Sequence, residues 1–168
     1  MSLPDYYDHA HQLGEALIQR GWMMATAESC TGGLLSASLT DVPGSSQWFE
    51  RGFVTYSNDA KVMHLGVATD TLERFGAVSE ETAMEMAAGV LSVAARADVA
   101  VSTTGVAGPG GGSAGKPVGM VCFGFAHRAG SGVSTQAITR VFDGDRRAIR
   151  EAAVQFALTT ALQLISPR

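Results

Sequence analysis

Behind Ser79, the apolar side chains Ala83, Met86, Ala87, Val90, Leu91 and Ala94 recur at i, i+3, i+4, i+7, i+8 and i+11. That spacing predicts a helix with one buried face, and Ser79 supplies its cap. Tyr6, Ala10, Leu13 and Leu17 repeat at the same period. They predict a first helix that opens at Ser2-Leu3-Pro4-Asp5 and stops at Gly21. Apolar and β-branched runs predict strands at residues 23–27, 48–57 and 99–104. Two further runs, 118–127 and 133–142, flank a turn at 129–132 and predict an antiparallel hairpin. Shorter helices are expected at 34–39, from Asn58 to near Gly66, and at 69–75. A long last helix, from Arg146 to about Ile165, follows the capping stretch Asp143-Gly144-Asp145. Helices alternating with strands predict a three-layer α/β/α sandwich with a mostly parallel sheet, which the hairpin makes mixed. The last helix carries alanine and leucine on more than one face, so it is expected to pack on the sheet and on a second copy as a homo-oligomer. No repeat or linker divides the chain, and residues 1–168 are expected to form a single domain.

The stretch with most chemistry is Thr26-Ala27-Glu28-Ser29-Cys30-Thr31-Gly32-Gly33, where the first strand turns into a helix. It holds a carboxylate, three nucleophile-capable side chains and two glycines. In open α/β folds the carboxyl edge of the sheet is where ligands bind. The helix that follows offers free N–H groups and a positive dipole end, which favour an anion. The spacing fits equally well a tight turn in which serine or threonine caps the helix.

Composition narrows the field. The 168 residues are 46% hydrophobic and 17% charged, ordinary for a globular chain with a substantial core. A net charge of −4 argues against a nucleic-acid binder. No apolar run is long enough to span a bilayer, and the polar start has no signal-peptide core. Two cysteines, Cys30 and Cys122, are too few for a disulfide scaffold, so a cytoplasmic location is expected. Many of the 20 glycines fall between Gly105 and Gly119. Gly110, Gly115 and Lys116 match most of a phosphate-loop pattern, but Pro117 stands where magnesium binding needs serine or threonine. Gly110, Gly112 and Gly115 also fit G-x-G-x-x-G. Both patterns require a helix straight after the loop, whereas Pro117 opens a strand-like run. What remains is a loop rich in exposed N–H groups, able to approach a phosphate or a carboxylate.

Several segments together resemble the CinA C-terminal domain family. They are Ala27 to Gly33, Tyr56-Ser57-Asn58 with Lys61, Gly76-Ala77-Val78-Ser79, Thr104-Gly105-Val106-Ala107-Gly108-Pro109-Gly110-Gly111, and Lys116-Pro117-Val118-Gly119. The resemblance spans nearly the whole chain in order. It implies an α/β/α fold with a mixed sheet, and a nicotinamide-nucleotide amidase that converts nicotinamide mononucleotide to nicotinate mononucleotide and ammonia. Some members carry an extra N-terminal domain, and this chain looks like the stand-alone form. The resemblance points to Ser29 as nucleophile, with Tyr56 and Lys61 handling protons. A serine with a lysine base is a known alternative to a Ser-His-Asp set. Taken alone, Tyr56 fits equally a strand-end aromatic, and Lys61 a solvated helix charge. Cys30 is the rival nucleophile. Backbone N–H groups from Thr31 to Gly33, Gly32 included, are candidate oxyanion donors. Glu28 is a candidate to orient the lysine or bind the ribose, and Asn58 a further substrate contact. Thr104, Gly105, Gly108, Gly110 and Gly111 are candidates to hold the ribose phosphate. Arg140 is a candidate phosphate partner, because a guanidinium suits bidentate phosphate binding. The expected partner is this small-molecule substrate. No metal-ligand set is visible in the sequence, so hydrolysis without a metal or other cofactor is the expectation.

Overall fold

The computed structural model describes residues 6–166. Five strands, β1 (Met24–Glu28), β2 (Phe49–Val54), β3 (Val99–Gly105), β4 (Met120–Ala129) and β5 (Gly132–Val141), form one sheet in the order β2-β1-β3-β4-β5. β1 pairs in parallel with β2 and with β3, while β3–β4 and β4–β5 are antiparallel. Only β4 therefore runs against the other strands. Six α-helices cover the two faces: α1 (Tyr7–Arg20), α2 (Leu34–Thr40), α3 (Asn58–Leu65), α4 (Thr69–Phe75), α5 (Glu80–Val93) and α6 (Arg146–Ile165). This is the expected three-layer sandwich with a mixed sheet. The helix start expected at residues 2–5 lies outside the described residues.

The core is split by the sheet. On one face α1, α2 and α6 pack over Met24, Val99, Val101, Val121, Phe123 and Phe125. On the other, Leu65 of α3 joins Met86, Ala87, Val90 and Leu91 of α5 over Ala25, Ala27, Ala100 and Ala126. The small alanines let α5 lie close to the sheet. At Gly89 a Cβ would stand 2.0 Å from the Leu65 carbonyl oxygen, so glycine allows α5 to press against the end of α3. That contact fixes the helix that carries Lys61. α1, α2, β3 and β4 cover most of the apolar surface of α6, and Leu164 near its end stays 44% exposed.

The glycine loop does lead into a strand. Gly119 adopts φ 94° and closes a turn in which Met120 N–H donates to Pro117 O at 3.1 Å, so β4 begins two residues later than the apolar run.

Candidate active site

Strand alternation decides which side chains of the β1–α2 turn can meet, because successive residues point to opposite faces. Glu28 turns to the α2 side and is fully buried. Its carboxylate accepts from Thr31 Oγ1 at 2.6 Å, Leu35 N at 2.8 Å, Ser36 N at 3.0 Å and Ser36 Oγ at 2.7 Å. It therefore satisfies free N–H groups at the start of α2. It makes no hydrogen bond to Lys61 and does not line the cleft, which corrects the expectation that it orients the lysine or binds a ribose. The Thr31 side chain belongs to the same buried scaffold, 2.8 Å from Thr103 Oγ1. Gly32 and Gly33, at φ 57° and 99°, let the chain reverse into α2.

Ser29 points to the opposite side, towards α3. Ser57 caps α3 by accepting from Ala60 N at 3.0 Å. One turn on, Lys61 and Leu65 share the inward face, and Lys61 is 1% exposed. Its Nζ lies 2.9 Å from Ser29 Oγ, 2.8 Å from Thr55 O and 3.4 Å from Tyr56 O. Among the described residues no carboxylate pairs with it, and burial pushes its pKa down to about 8. In the neutral form two N–H bonds serve the two carbonyls, and the lone pair is left for the Ser29 hydroxyl proton.

Tyr56 contributes to this cluster through its backbone. Its carbonyl oxygen is 3.4 Å from Ser29 Oγ, whereas the phenol hydroxyl accepts from Arg146 Nη2 at 3.0 Å. Ser29, Tyr56 and Lys61 line a cleft of about 310 Å³, within the range of small-molecule sites. Thr104, Gly105, Gly108, Gly110 and Gly111 form the facing wall, and Ala77 and Val78 close one side. Thr104 Oγ1 donates to Ala77 O at 2.7 Å, and Lys116 Nζ donates to Phe75 O, so both ends of the loop are tied to the end of α4 and the residues just after it. Cys30 also lines the cleft, but burial pushes its thiol up to about 12. His64 and His127 are exposed, and no histidine lines this cleft. Among the described residues no group of three His, Cys, Asp or Glu side chains is placed to hold a metal ion.

Two expected contacts lie elsewhere. Arg140 is on the α6 side of β5, with its guanidinium stacked over Phe156 at 5.1 Å and Nη1 donating to Thr139 O at 2.9 Å. Alternation explains this: Thr139 faces α5, donating to Glu80 Oε1 at 2.8 Å, so its neighbour must face away. Asn58, at the start of α3, lines a separate groove with Val62, Met63 and Leu72. The cationic side chain that does share the cleft with Lys61 is Arg146, missed in the sequence. It donates to Gly108 O at 2.8 Å and to the Tyr56 hydroxyl, bridging the two walls. A signal was available. α6 has no acidic residue in its first turn and carries Arg146 and Arg147 there, where the helix dipole disfavours cations. Arg150, one turn on, reaches the β1–α2 turn and donates to Cys30 O at 3.2 Å and Thr31 O at 2.9 Å.

The family model of the CinA C-terminal domain matches residues 7–165. The chain belongs to the CinA C-terminal domain family. Within it, the chain is 53% identical over 163 residues to a nicotinamide-nucleotide amidohydrolase, PncC, of Enterobacter agglomerans, covering 97% of each protein. It is 53% identical to the PncC of Escherichia coli K12, covering 92% of this chain and 91% of the relative. A CinA-like protein of Chloroherpeton thalassium is also 53% identical, but there the match covers 92% of this chain and 36% of the relative. The crystal structure of the competence/damage inducible protein CihA of Agrobacterium tumefaciens has the same fold, with a TM-score of 0.89 at 48% identity over 98% of this chain and 99% of that one. A competence or damage-inducible protein of Enterobacter asburiae matches with a TM-score of 0.89 at 38% identity, over 98% of this chain and 100% of that one. The CinA fold thus extends over the whole described chain, and no described helix is long and apolar enough to cross a membrane.

Proposed function

We propose that this CinA-family chain hydrolyses the carboxamide of nicotinamide mononucleotide to nicotinate mononucleotide and ammonia, with Ser29 as nucleophile and Lys61 as its base. The observation that carries the reading is the contact of 2.9 Å between Ser29 Oγ and a buried lysine with no carboxylate partner among the described residues. The two PncC relatives, named for this activity, supply the substrate.

Neutral Lys61 takes the Ser29 hydroxyl proton as Oγ attacks the carboxamide carbon. A C–O bond forms and the carbonyl π pair moves to oxygen, giving an oxyanion. The backbone N–H of Thr31, two residues after Ser29, meets no acceptor among the described residues and is the donor proposed for it. When the oxyanion collapses, the C–N bond breaks and the Lys61 ammonium protonates the departing nitrogen as ammonia. An ester on Ser29 remains. Lys61, neutral again, deprotonates a water that attacks the ester carbon. The C–O bond to Ser29 breaks, Oγ recovers the proton from Lys61, and the carboxylic acid so formed gives its own proton to solvent and leaves as the carboxylate.

Tyr56 supplies a carbonyl that holds Lys61 and a phenol at the cleft wall. Arg146 replaces Arg140 as the phosphate partner, together with N–H groups of the glycine loop. At Gly110 an added Cβ meets nothing within 4 Å, so the loop backbone there is open to a ligand. Burial keeps Cys30 a thiol, and it is Ser29 that meets Lys61 Nζ at 2.9 Å, so Ser29 is the nucleophile of this reading.

The chain is taken to act as one domain, because both core clusters are built on the same sheet. A cytoplasmic site of action fits two free buried cysteines. Self-association is proposed through the last helix, where Leu164 is exposed, and sedimentation of the purified chain tests it. The activity is tested by measuring ammonia release from nicotinamide mononucleotide, its riboside and unrelated amides. No release from the mononucleotide would refute it.

A further inference from the structure

Arg150 stands outside the cleft yet grips the turn that carries Ser29. It is half-buried, comes from α6, and holds the two carbonyls that follow Ser29, those of Cys30 and Thr31. The Thr31 carbonyl has a second donor, Leu34 N at 3.0 Å. The Cys30 carbonyl has only Arg150 among the described residues. A trans peptide points its C=O and N–H in opposite directions. The grip on Cys30 O therefore turns Thr31 N–H away from the guanidinium. The grip on Thr31 O does the same for Gly32 N–H, which donates to Ser29 O at 3.0 Å. That bond in turn directs Cys30 N–H away from α2. The Thr31 N–H thus leaves the turn beside the serine without an acceptor among the described residues, set by the bond on the opposite side of its peptide, while the Cys30 N–H lies beside its own thiol.

We propose that Arg150 is a positioning residue for the hydrolysis: it fixes the peptide between Cys30 and Thr31 so that the Thr31 N–H meets the oxyanion formed on the Ser29 adduct. The inference rests on the reading of Ser29 as nucleophile given above. The guanidinium also places a positive charge at the oxygen end of that peptide, which polarises the N–H towards the developing negative charge. The fork of a guanidinium is what lets one side chain hold two successive carbonyls, and an ammonium is a single compact charge.

Steady-state hydrolysis of nicotinamide mononucleotide is compared for the wild type, Arg150→Gln, Arg150→Lys and Ser29→Ala between pH 6 and 10, with thermal unfolding of each. Arg150→Gln is expected to lower kcat about 10- to 100-fold, less than the loss of a whole oxyanion donor. KM should change by less than about twofold and the inflection set by Lys61 should stay in place, because Arg150 does not touch the lysine or line the cleft. Arg150→Lys should recover part of kcat by holding one carbonyl. If Arg150→Gln unfolds early, Arg150→Lys assayed well below its own unfolding temperature carries the comparison. A kcat within about twofold of wild type in a folded variant overturns the proposal. So does a joint change of kcat, KM and the pH inflection, which would show that Arg150 merely supports the fold. A wild type that releases no ammonia, or an active Ser29→Ala, refutes the reading of the site itself, and does so without any change at Arg150.

Discussion

Replacing Lys61 by methionine should abolish hydrolysis and, near neutral pH, make the protein more stable. The side chain is 1% exposed, and burial lowers its pKa from 10.5 to about 8. The difference between those two values corresponds to about 3 kcal/mol between the two protonation states. The unfolded chain keeps this proton up to its ordinary pKa, while the folded chain gives it up at about 8. Between those values the unfolded state binds more protons, so stability rises with pH, and below 8 the folded state carries the full cost. Lys61→Met removes that cost but leaves the Thr55 and Tyr56 carbonyls without their donor, at about 1 kcal/mol each. The expected balance is a gain of about 1 kcal/mol at pH 7 and loss of the alkaline rise. Denaturant unfolding of wild type and variant between pH 6.5 and 10 measures both. In the same window kcat/KM of the wild type should rise about tenfold per pH unit and level off above 8, so that pH 7 gives about a tenth of the ceiling. A wild-type profile that is flat from pH 7 to 9, or a variant destabilised equally at every pH, would refute the reasoning.

The phosphate reading separates two arginines. Arg146→Ala should lower kcat/KM for the mononucleotide about a hundredfold and leave the riboside nearly unchanged, since two charge-assisted hydrogen bonds are worth about 3 kcal/mol or more. Arg140→Ala should leave both substrates within about twofold, because its guanidinium lies over Phe156. Equal effects of the two variants would remove the assignment. Glu28→Gln should cost about 3 kcal/mol in denaturant unfolding, because an amide nitrogen would face N–H and O–H donors at the start of α2. A variant as stable as the wild type would show that the buried carboxylate is not what fastens α2.

The helices with a clean period were legible in the sequence. α5 follows its one apolar stripe, and Ser79 and Asp145 cap their helices as their positions suggest. The hairpin was legible because two apolar runs flank a short glycine-containing turn. Pro117 rightly ruled out a phosphate-loop helix. The site was only half legible. Which of Glu28 and Ser29 faces the cleft depends on which sheet face each helix covers, and that is a tertiary fact. The same applies to Arg140, displaced by one step of alternation. Tyr56 shows a different limit, since its carbonyl, which every residue type has, makes the contact with Lys61. Arg146 acts on Gly108 and Tyr56, 38 and 90 positions away, and Arg150 on Cys30 and Thr31, 120 and 119 positions away, all beyond the reach of local pattern.

The central claim is a serine made nucleophilic by a buried lysine, and the most direct measurement is ammonia release from nicotinamide mononucleotide by wild type, Ser29→Ala and Cys30→Ala at pH 8. The account predicts that Ser29→Ala loses about a thousandfold or more in kcat while Cys30→Ala keeps most of it. A Cys30→Ala protein that is inactive beside an active Ser29→Ala protein would contradict it.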